Sequence, residues 1–231
     1  MPRTLGIWLA SAALASAGLL AASHAVSVTS AGWGALGATL LVFAAGLIDD
    51  LSPAGPRGLR NHLRALASGR VTTGVVKAIV IVAAAIVSIA LQPGGTGWVR
   101  SAGVVLVAAS ANVWNGLDVR PGRAIKFGIV ALLAVTPVDL ASLPTLPGVA
   151  LGSAAALWPD LQERAMLGDG GANLLGFTIG LGLYLVLPGW GVTLGAALAV
   201  AANVLADSVT LSRVIDAVPP LRWFDRIGRL P

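Results

Sequence analysis

The sequence predicts an all-α membrane protein, a polytopic bundle of about eight transmembrane helices that forms a single domain over residues 1–231. Of its residues, 56% are hydrophobic and only 11% are charged, and the mean hydropathy is +0.86, which a soluble globular domain rarely reaches. The apolar runs are continuous rather than alternating with polar residues, which favours helices over a transmembrane barrel. The 29 glycines would let such helices approach one another closely.

Two further features of the composition exclude other classes of site. The chain has no cysteine, so it contains neither a disulfide nor a thiolate metal site. Its net charge of +5 could suggest nucleic acid as a partner. The basic residues, however, are distributed by membrane topology, so we expect the lipid bilayer and no nucleic acid.

Eight apolar segments are the candidates for membrane helices. Several are shorter than the ~20 residues that a perpendicular crossing requires. The sequence ASHA at 22–25 resembles a signal-peptide cleavage site, but the next apolar run follows almost at once, which favours a retained first helix. The segments cover residues 5–22, 32–48, 74–91, 101–114, 125–140, 145–159, 173–188 and 190–211.

The basic residues between these segments predict the orientation of the bundle. The loops on one side and the tail carry nearly all of them, whereas the loops on the other side carry only Arg100. By the positive-inside rule, the loops 49–73, 112–124 and 160–172 and the tail 212–231 are cytoplasmic. Residues 61–67 and the tail are also predicted to form amphipathic helices on the membrane surface. The basic residues on this side are Arg57, Arg60, Arg64, Arg70, Arg120, Arg123, Lys126, Arg164, Arg213, Arg222, Arg226 and Arg229.

Four of the ten acidic residues fall at the predicted cytoplasmic ends of helices. Asp49 and Asp50 end the second apolar segment, Asp118 follows the fourth, and Asp169 precedes the seventh. Negative charge is unfavourable at a helix C-terminus and close to hydrocarbon. A divalent cation with bound phosphate would reverse that balance, and Mg²⁺ takes oxygen ligands. The pattern predicts a magnesium–phosphate site, with solvated charges at a loop edge as the alternative.

The stretch NVWNGLDVRPGRAIK, residues 112–126, places Asn112, Asn115 and Asp118 at intervals of three along a helix. Such a stripe suits hydrogen bonding to a polar ligand. Arg120 and Arg123 could bind phosphate or phospholipid headgroups. The alternative is that the asparagines cap the helix end and the arginines only obey the positive-inside rule.

The stretch LGDGGANLLG, residues 167–176, surrounds Asp169 with glycines at the start of a helix. Backbone N–H groups at Gly168, Gly170 and Gly171 could face an anion, which a helix N-terminus favours. The alternative is a flexible turn with an aspartate cap. Lys77, near the start of the third segment, either reaches the membrane surface or meets an anion.

Taken in order, these stretches resemble the polyprenyl-phosphate N-acetylhexosamine-1-phosphate transferase superfamily. That group includes phospho-N-acetylmuramoyl-pentapeptide transferases and polyprenyl-phosphate GlcNAc-1-phosphate transferases. GLIDD is similar to the aspartate pair of the family, and TTGVVK to the region whose lysine begins the next helix. NVWNGLD is similar to its Asn-x-x-Asn-x-x-Asp motif, and LGDGGANLLG to its glycine–aspartate motif. The resemblance covers residues 46–176.

The resemblance implies a Mg²⁺-dependent enzyme that transfers a sugar-1-phosphate from a UDP-sugar to polyprenyl (undecaprenyl) phosphate and releases UMP. Such a reaction belongs to the synthesis of peptidoglycan or surface polysaccharide in the bacterial plasma membrane, with a cytoplasmic active site. The resemblance makes Asp169 and Asp50 the metal ligands, and Asp49 and Asp50 the candidates for a base or a nucleophile. A homodimer is a further expectation. The implied substrate contacts are Lys77, Asn112, Asn115 and Asp118. The stretches described above add Arg120, Arg123, Gly168 and Gly171 as candidate substrate contacts.

The chain departs from the family pattern at several points. Only PRTLG at 2–6 is similar to the family's N-terminal loop, Pro121 replaces a second aspartate, and Ala172 replaces a serine. The segment 213–229 has no histidine where the family has a histidine-rich loop. A catalytically inert relative that binds a lipid phosphate or a protein partner is therefore an alternative. A transporter would need charges near span midpoints, and a CDP-alcohol phosphotransferase would need a compact aspartate-rich run that is absent.

Overall fold

A computed structural model describes residues 2–52, 64–65, 67–208 and 211–230, without the side chains of 207 and 208. Within these ranges the chain forms helices and no strand, which confirms the predicted all-α class. Residues 53–63 and 66, with most of the surface helix predicted over 61–67, lie outside them. The helices are α1 (Leu5–Ala22), α2 (Ser30–Leu51), α3 (Thr73–Leu91), α4 (Gly97–Leu117), α5 (Arg123–Ala134), α6 (Leu146–Leu161), α7 (Gly168–Val186), α8 (Gly189–Ser208), α9 (Leu211–Ala217) and α10 (Pro219–Arg226).

In the part of the chain that the structure describes, four helices are long and apolar enough to cross a membrane, fewer than the eight predicted. They are α1, α2, α3 and residues Gly189–Ala206 of α8. Helices α5 and α6 have 12 and 16 residues. At about 1.5 Å per residue they are shorter than a hydrocarbon core of about 30 Å. Helices α4 and α7 have the length but not the apolar composition.

The surface of the apolar helices suits contact with lipid. Leu41 on α2, Ile79 on α3 and Leu198 on α8 each expose more than half of their surface. Burying such side chains in hydrocarbon is favourable, whereas water would penalise a continuous surface of this kind. These exposed faces are therefore compatible with a protein that lies in a bilayer.

Helix α7 is the centre of the fold, because most of its residues are buried and it packs against each of the helices α1 to α6. Glycines permit the closest approaches. A β-carbon on Gly176 would lie 2.6 Å from the carbonyl oxygen of Ser110 in α4. A β-carbon on Gly6 would lie 2.7 Å from the backbone nitrogen of Gly171. Small residues thus bring the helix backbones together, as the glycine content predicts.

This packing places four helix ends on the same side of the bundle. Asp49 lies in the last turn of α2 and Lys77 near the start of α3, while Asn115 is close to the end of α4. Asp169, predicted to precede a helix, instead lies within the first turn of α7. The side chains of these four residues contact one another.

Candidate functional site

The ammonium group of Lys77 is the centre of the site, because it forms ion pairs with two carboxylates. Its Nζ lies 2.5 Å from Oδ2 of Asp49 and also contacts Oδ2 of Asp169. The side chain of Lys77 is only 10% exposed, so both contacts are largely shielded from water. A single ammonium group therefore links two aspartates that lie far apart in the sequence.

Asp169 has contacts with α2, with α4 and with the next turn of its own helix α7. The side-chain amide of Asn115 donates a hydrogen bond to Oδ2 of Asp169 at 3.4 Å. The amide of Asn173, one turn further along α7, donates to the backbone carbonyl of Asp169 at 2.6 Å. On the other side, a β-carbon on Gly46 would lie 2.6 Å from that carbonyl oxygen. The absence of a side chain at Gly46 thus lets α2 approach the start of α7.

Two backbone N–H groups at the N-terminus of α7 donate hydrogen bonds to carboxylates of the protein itself. The N–H of Gly168 donates to Oδ2 of Asp118 at 2.9 Å, and the N–H of Gly170 donates to Oδ2 of Asp50 at 3.1 Å. These groups have no partner within the helix, and the helix dipole favours negative charge beside them. Gly168 also has a φ of +69°, in the left-handed region that favours glycine.

Gly168 and Gly171 are predicted to contact a substrate anion through such N–H groups, and both have close neighbours within the chain. The N–H of Gly168 is already bonded to Asp118, and the backbone of Gly171 packs against Gly6 of α1. An anion attracted to this helix end would meet carboxylates that are covalently part of the chain. The two glycines serve conformation and packing, and their contact with a substrate anion stays a prediction.

Asp118 is a buried carboxyl group whose protonation differs from that of an ordinary aspartate. Burial raises its pKa to about 8, the negative charge of Asp160 adds to the shift, and the hydrogen bond from Gly168 opposes it. A carboxyl group that keeps its proton near neutral pH can donate one hydrogen bond as well as accept others. Asp118 therefore adds little negative charge to the cluster and could donate to a polar ligand.

Asp50 has different partners from its neighbour Asp49. Its Oδ1 accepts a hydrogen bond from Nη1 of Arg3 at 2.7 Å, and its side chain is 3% exposed. Asp169 and Asp50 were predicted to be the metal ligands, but the carboxylate that shares a cation with Asp169 is that of Asp49. Arg3 was not singled out from the sequence as a site residue. The signal for it was the similarity of PRTLG to the loop that precedes the family's first motif.

Asn112 lies outside the cluster although it shares a motif with Asn115 and Asp118. Its amide donates to Oδ1 of Asn203 in α8 at 2.5 Å. Three residues turn a helix by about 300°, so a stripe with this spacing winds around the axis. Asn112 and Asp118 consequently face different neighbours, and Asn112 joins α4 to α8.

The two arginines of the same stretch also lie elsewhere. Arg123 is fully buried and forms a bidentate ion pair with Asp225 of α10, at 2.8 and 2.9 Å. Arg120 pairs with Asp216 of α9 at 3.2 Å, and both side chains are partly exposed. A phosphate could reach Arg123 only if the tail were displaced. The predicted phosphate contact is therefore corrected for Arg123, which anchors the tail, and stays a prediction for Arg120.

The cluster is rich in carboxylate oxygens, the type of ligand that Mg²⁺ takes. No group of three or more histidine, aspartate or glutamate side chains surrounds a potential metal position in the described ranges. Mg²⁺ commonly uses only one or two carboxylates together with phosphates and water, and Asp49 and Asp169 supply such a pair. Even with Asp118 protonated, the carboxylates outnumber Lys77 and Arg3, the two cations in contact with them.

Comparison of the chain with protein-family models, with curated proteins and with solved structures finds no match. The site is therefore interpreted from the contacts of its own residues. The resemblance of its motifs to the transferase superfamily stays a prediction.

Proposed function

We propose that this protein is a Mg²⁺-dependent transferase that moves a sugar-1-phosphate, such as N-acetylhexosamine-1-phosphate, from a UDP-sugar to polyprenyl phosphate. The supporting observation is the convergence of Asp49, Lys77, Asn115 and Asp169, which come from four separate segments. The motif resemblance implies an active site built from the same residues. Phosphoryl transfer depends on positioning and charge neutralisation more than on covalent chemistry by the protein, which suits this set.

In the proposed reaction, a phosphate oxygen of the lipid forms a bond to the phosphorus that carries the sugar. The bond from that phosphorus to the bridging oxygen breaks, and UMP leaves with the electron pair. Bound Mg²⁺ would neutralise charge on the transferred group, with Asp49 and Asp169 as its protein ligands. Lys77 keeps the two carboxylates side by side, while Asn115 and Asn173 set the position of Asp169.

Asp49 and Asp50 are the candidates for the group that accepts a proton from the lipid phosphate. They lie in the last turn of α2, where a phosphate at the membrane surface could approach them. Asp50 is already bonded to Arg3 and to the N–H of Gly170. Asp49 has only partial exposure and pairs with Lys77. A substrate anchored in lipid accounts for a site that is assembled from the ends of helices.

We further propose that all eight predicted segments cross the plasma membrane of a bacterium, with the cluster on the cytoplasmic side. The end of α2, the start of α3, the end of α4 and the start of α7 lie together, as expected when consecutive helices cross in opposite directions. The short or more polar helices α4, α5 and α6 would cross beside the buried helix α7. The basic loops 112–124 and 160–172 adjoin the same side.

UMP release by the purified full-length protein tests the proposal. The protein would be incubated with MgCl₂, polyprenyl phosphate and UDP-GlcNAc, followed by a panel of other UDP-sugars. Asp169→Asn keeps the size of the side chain and removes its charge, so we expect UMP release to fall about a hundredfold or more. Asp139→Asn is the matched control, because Asp139 is an exposed carboxylate in the loop between α5 and α6. It should keep wild-type activity.

Full activity of the Asp169→Asn variant would contradict the assigned role. A catalytically inert relative that binds a lipid phosphate is the second candidate. It is favoured by Lys77, which already satisfies both Asp49 and Asp169 without a metal ion. This alternative predicts that the wild-type protein binds polyprenyl phosphate but releases no UMP from any UDP-sugar.

A further inference from the structure

Arg3 contributes a second cation to the cluster from the segment before α1. Its Nη1 donates to Oδ1 of Asp50 at 2.7 Å, and Oδ2 of Asp50 accepts the N–H of Gly170 at 3.1 Å. The two paired side chains differ in exposure, which is 49% for Arg3 and 3% for Asp50. The guanidinium group therefore lies between a buried carboxylate and solvent, at the open edge of the site.

Backbone contacts hold Arg3 in this place. The N–H of Met166 donates to the carbonyl of Pro2 at 3.0 Å, and the N–H of Leu5 donates to the carbonyl of Met166 at 3.2 Å. The segment on both sides of Arg3 is thus tied to the loop that leads into α7. Immediately afterwards, Gly6 packs against Gly171. The position of Arg3 is consequently defined relative to Asp169 and its glycines.

Most hydrogen-bonding capacity of this guanidinium is unused. An arginine side chain has five N–H donors in a planar fork, which matches phosphate in a bidentate arrangement. Among the residues that the structure describes, the side chain of Arg3 donates to Asp50 alone. Lys77 differs, because two carboxylates already pair with its ammonium group.

We propose that Arg3 binds a phosphate group of a substrate, and that Asp50 orients its guanidinium for this purpose. The inference rests on the proposed function, because it adds a residue to the same site. The phosphate belongs either to the nucleotide sugar or to the polyprenyl phosphate. Arg3 recognises the same chemistry in both, so separate titrations distinguish the two sources.

The test is a binding measurement that needs no turnover. Calorimetric titration of the full-length protein in detergent would use UMP, inorganic diphosphate and a short-chain polyprenyl phosphate as separate probes. Loss of a charge-assisted hydrogen bond should weaken the recognised anion about tenfold to a hundredfold in Arg3→Gln. Arg3→Lys keeps the charge without the fork, so its loss should be smaller.

Arg164→Gln is the matched control. Arg164 is an exposed arginine in the same loop as Met166, and it should bind all three probes as the wild-type protein does. A loss in Arg3→Gln for one class of probe supports the proposal and identifies the source of the phosphate. Wild-type affinity of Arg3→Gln for every probe would overturn it.

A second variant decides the matter if Arg3→Gln does not fold. Asp50→Asn keeps the side-chain oxygen that can orient the guanidinium and removes one negative charge, so inorganic diphosphate should bind severalfold more tightly without Mg²⁺. Unchanged or weaker binding in Asp50→Asn would overturn the proposal. Where both single variants fold, Arg3→Gln combined with Asp50→Asn should lose the gain.

The outcomes separate this inference from the proposed function. Anion binding that depends on Arg3, in a protein that releases no UMP, counts against the transferase alone. Normal UMP release by Arg3→Gln, with unchanged KM for both substrates and unchanged anion binding, counts against Arg3 alone.

Discussion

Replacing Arg123 with methionine should destabilise this protein by about 3 kcal/mol, at the lower end of the range for breaking a buried ion pair. Arg123 and Asp225 are both 0% exposed, and the two hydrogen bonds between them measure 2.8 and 2.9 Å. Methionine would fill much of the space of the arginine side chain, but the negative charge of the buried Asp225 would be neutralised by fewer positive groups. The effect stays at the lower end because Arg229 also pairs with Asp225, at 2.5 Å.

Arg120→Met is the matched control within the same turn. Arg120 and its nearer partner Asp216 are 40% and 35% exposed, and Arg120 lies 4.0 Å from Asp225, so removing these exposed or distant contacts should cost only about 0.2–1 kcal/mol. Chemical unfolding in detergent measures the free energy of unfolding of each variant. Limited proteolysis would report release of the tail, because Arg123 also donates to Ser212, one residue after the start of α9.

A double variant isolates the charge. Removing both members, as Arg123→Met with Asp225→Leu, should recover part of the lost stability, since no fully buried carboxylate is left without Arg123; the recovery is only partial because Arg229 then loses Asp225 as its partner. If Arg123→Met costs no more than Arg120→Met, the tail is not held by this pair. The interpretation of Arg123 as an anchor rather than a phosphate ligand would then be withdrawn.

Two further predictions concern packing and pH. Gly46→Ala should lower UMP release and stability, because its β-carbon would lie 2.6 Å from the carbonyl oxygen of Asp169. Gly37→Ala is the control, because Gly37 lies in the same helix with open space around it, and this variant should be neutral or slightly more stable. Unfolding and activity measurements on both variants check this prediction. Stability should decline between about pH 4 and pH 8, because Asp118 has a pKa of about 8 when folded against an ordinary 3.8. The folded state then binds its proton more tightly, and rising pH favours unfolding. Asp118→Asn should flatten this decline in melting temperature; an unchanged pH profile would refute the assignment.

Much of the fold was predictable because it depends on local properties of the chain. Continuous apolar runs predict helices wherever they occur, and each of the eight predicted segments overlaps one of the helices α1 to α8. The number of membrane-spanning helices was harder to predict from the sequence. Length and polarity divide these helices into four that are long and apolar enough to cross a membrane and others that are short or more polar. A buried helix such as α7 needs less apolar character because its neighbours cover it.

The candidate site was predictable in its residue types but not in its pairings. The sequence pattern predicted that Asp49, Asp50, Lys77 and Asp169 lie at helix ends on the same side of the membrane. It did not show that Lys77 lies between two of the aspartates. Arg3 was missed because a single basic residue before a membrane helix usually reports only orientation.

The sequence alone determined the helical class, the scarcity of acids and their position at the ends of apolar segments, because these are properties of composition and order. Only the tertiary structure decided which neighbour each charge meets. Adjacent residues such as Asp49 and Asp50 point about 100° apart around a helix, so packing sends one to Lys77 and the other to Arg3. In the same way, Arg123 becomes an anchor because a distant tail folds over it.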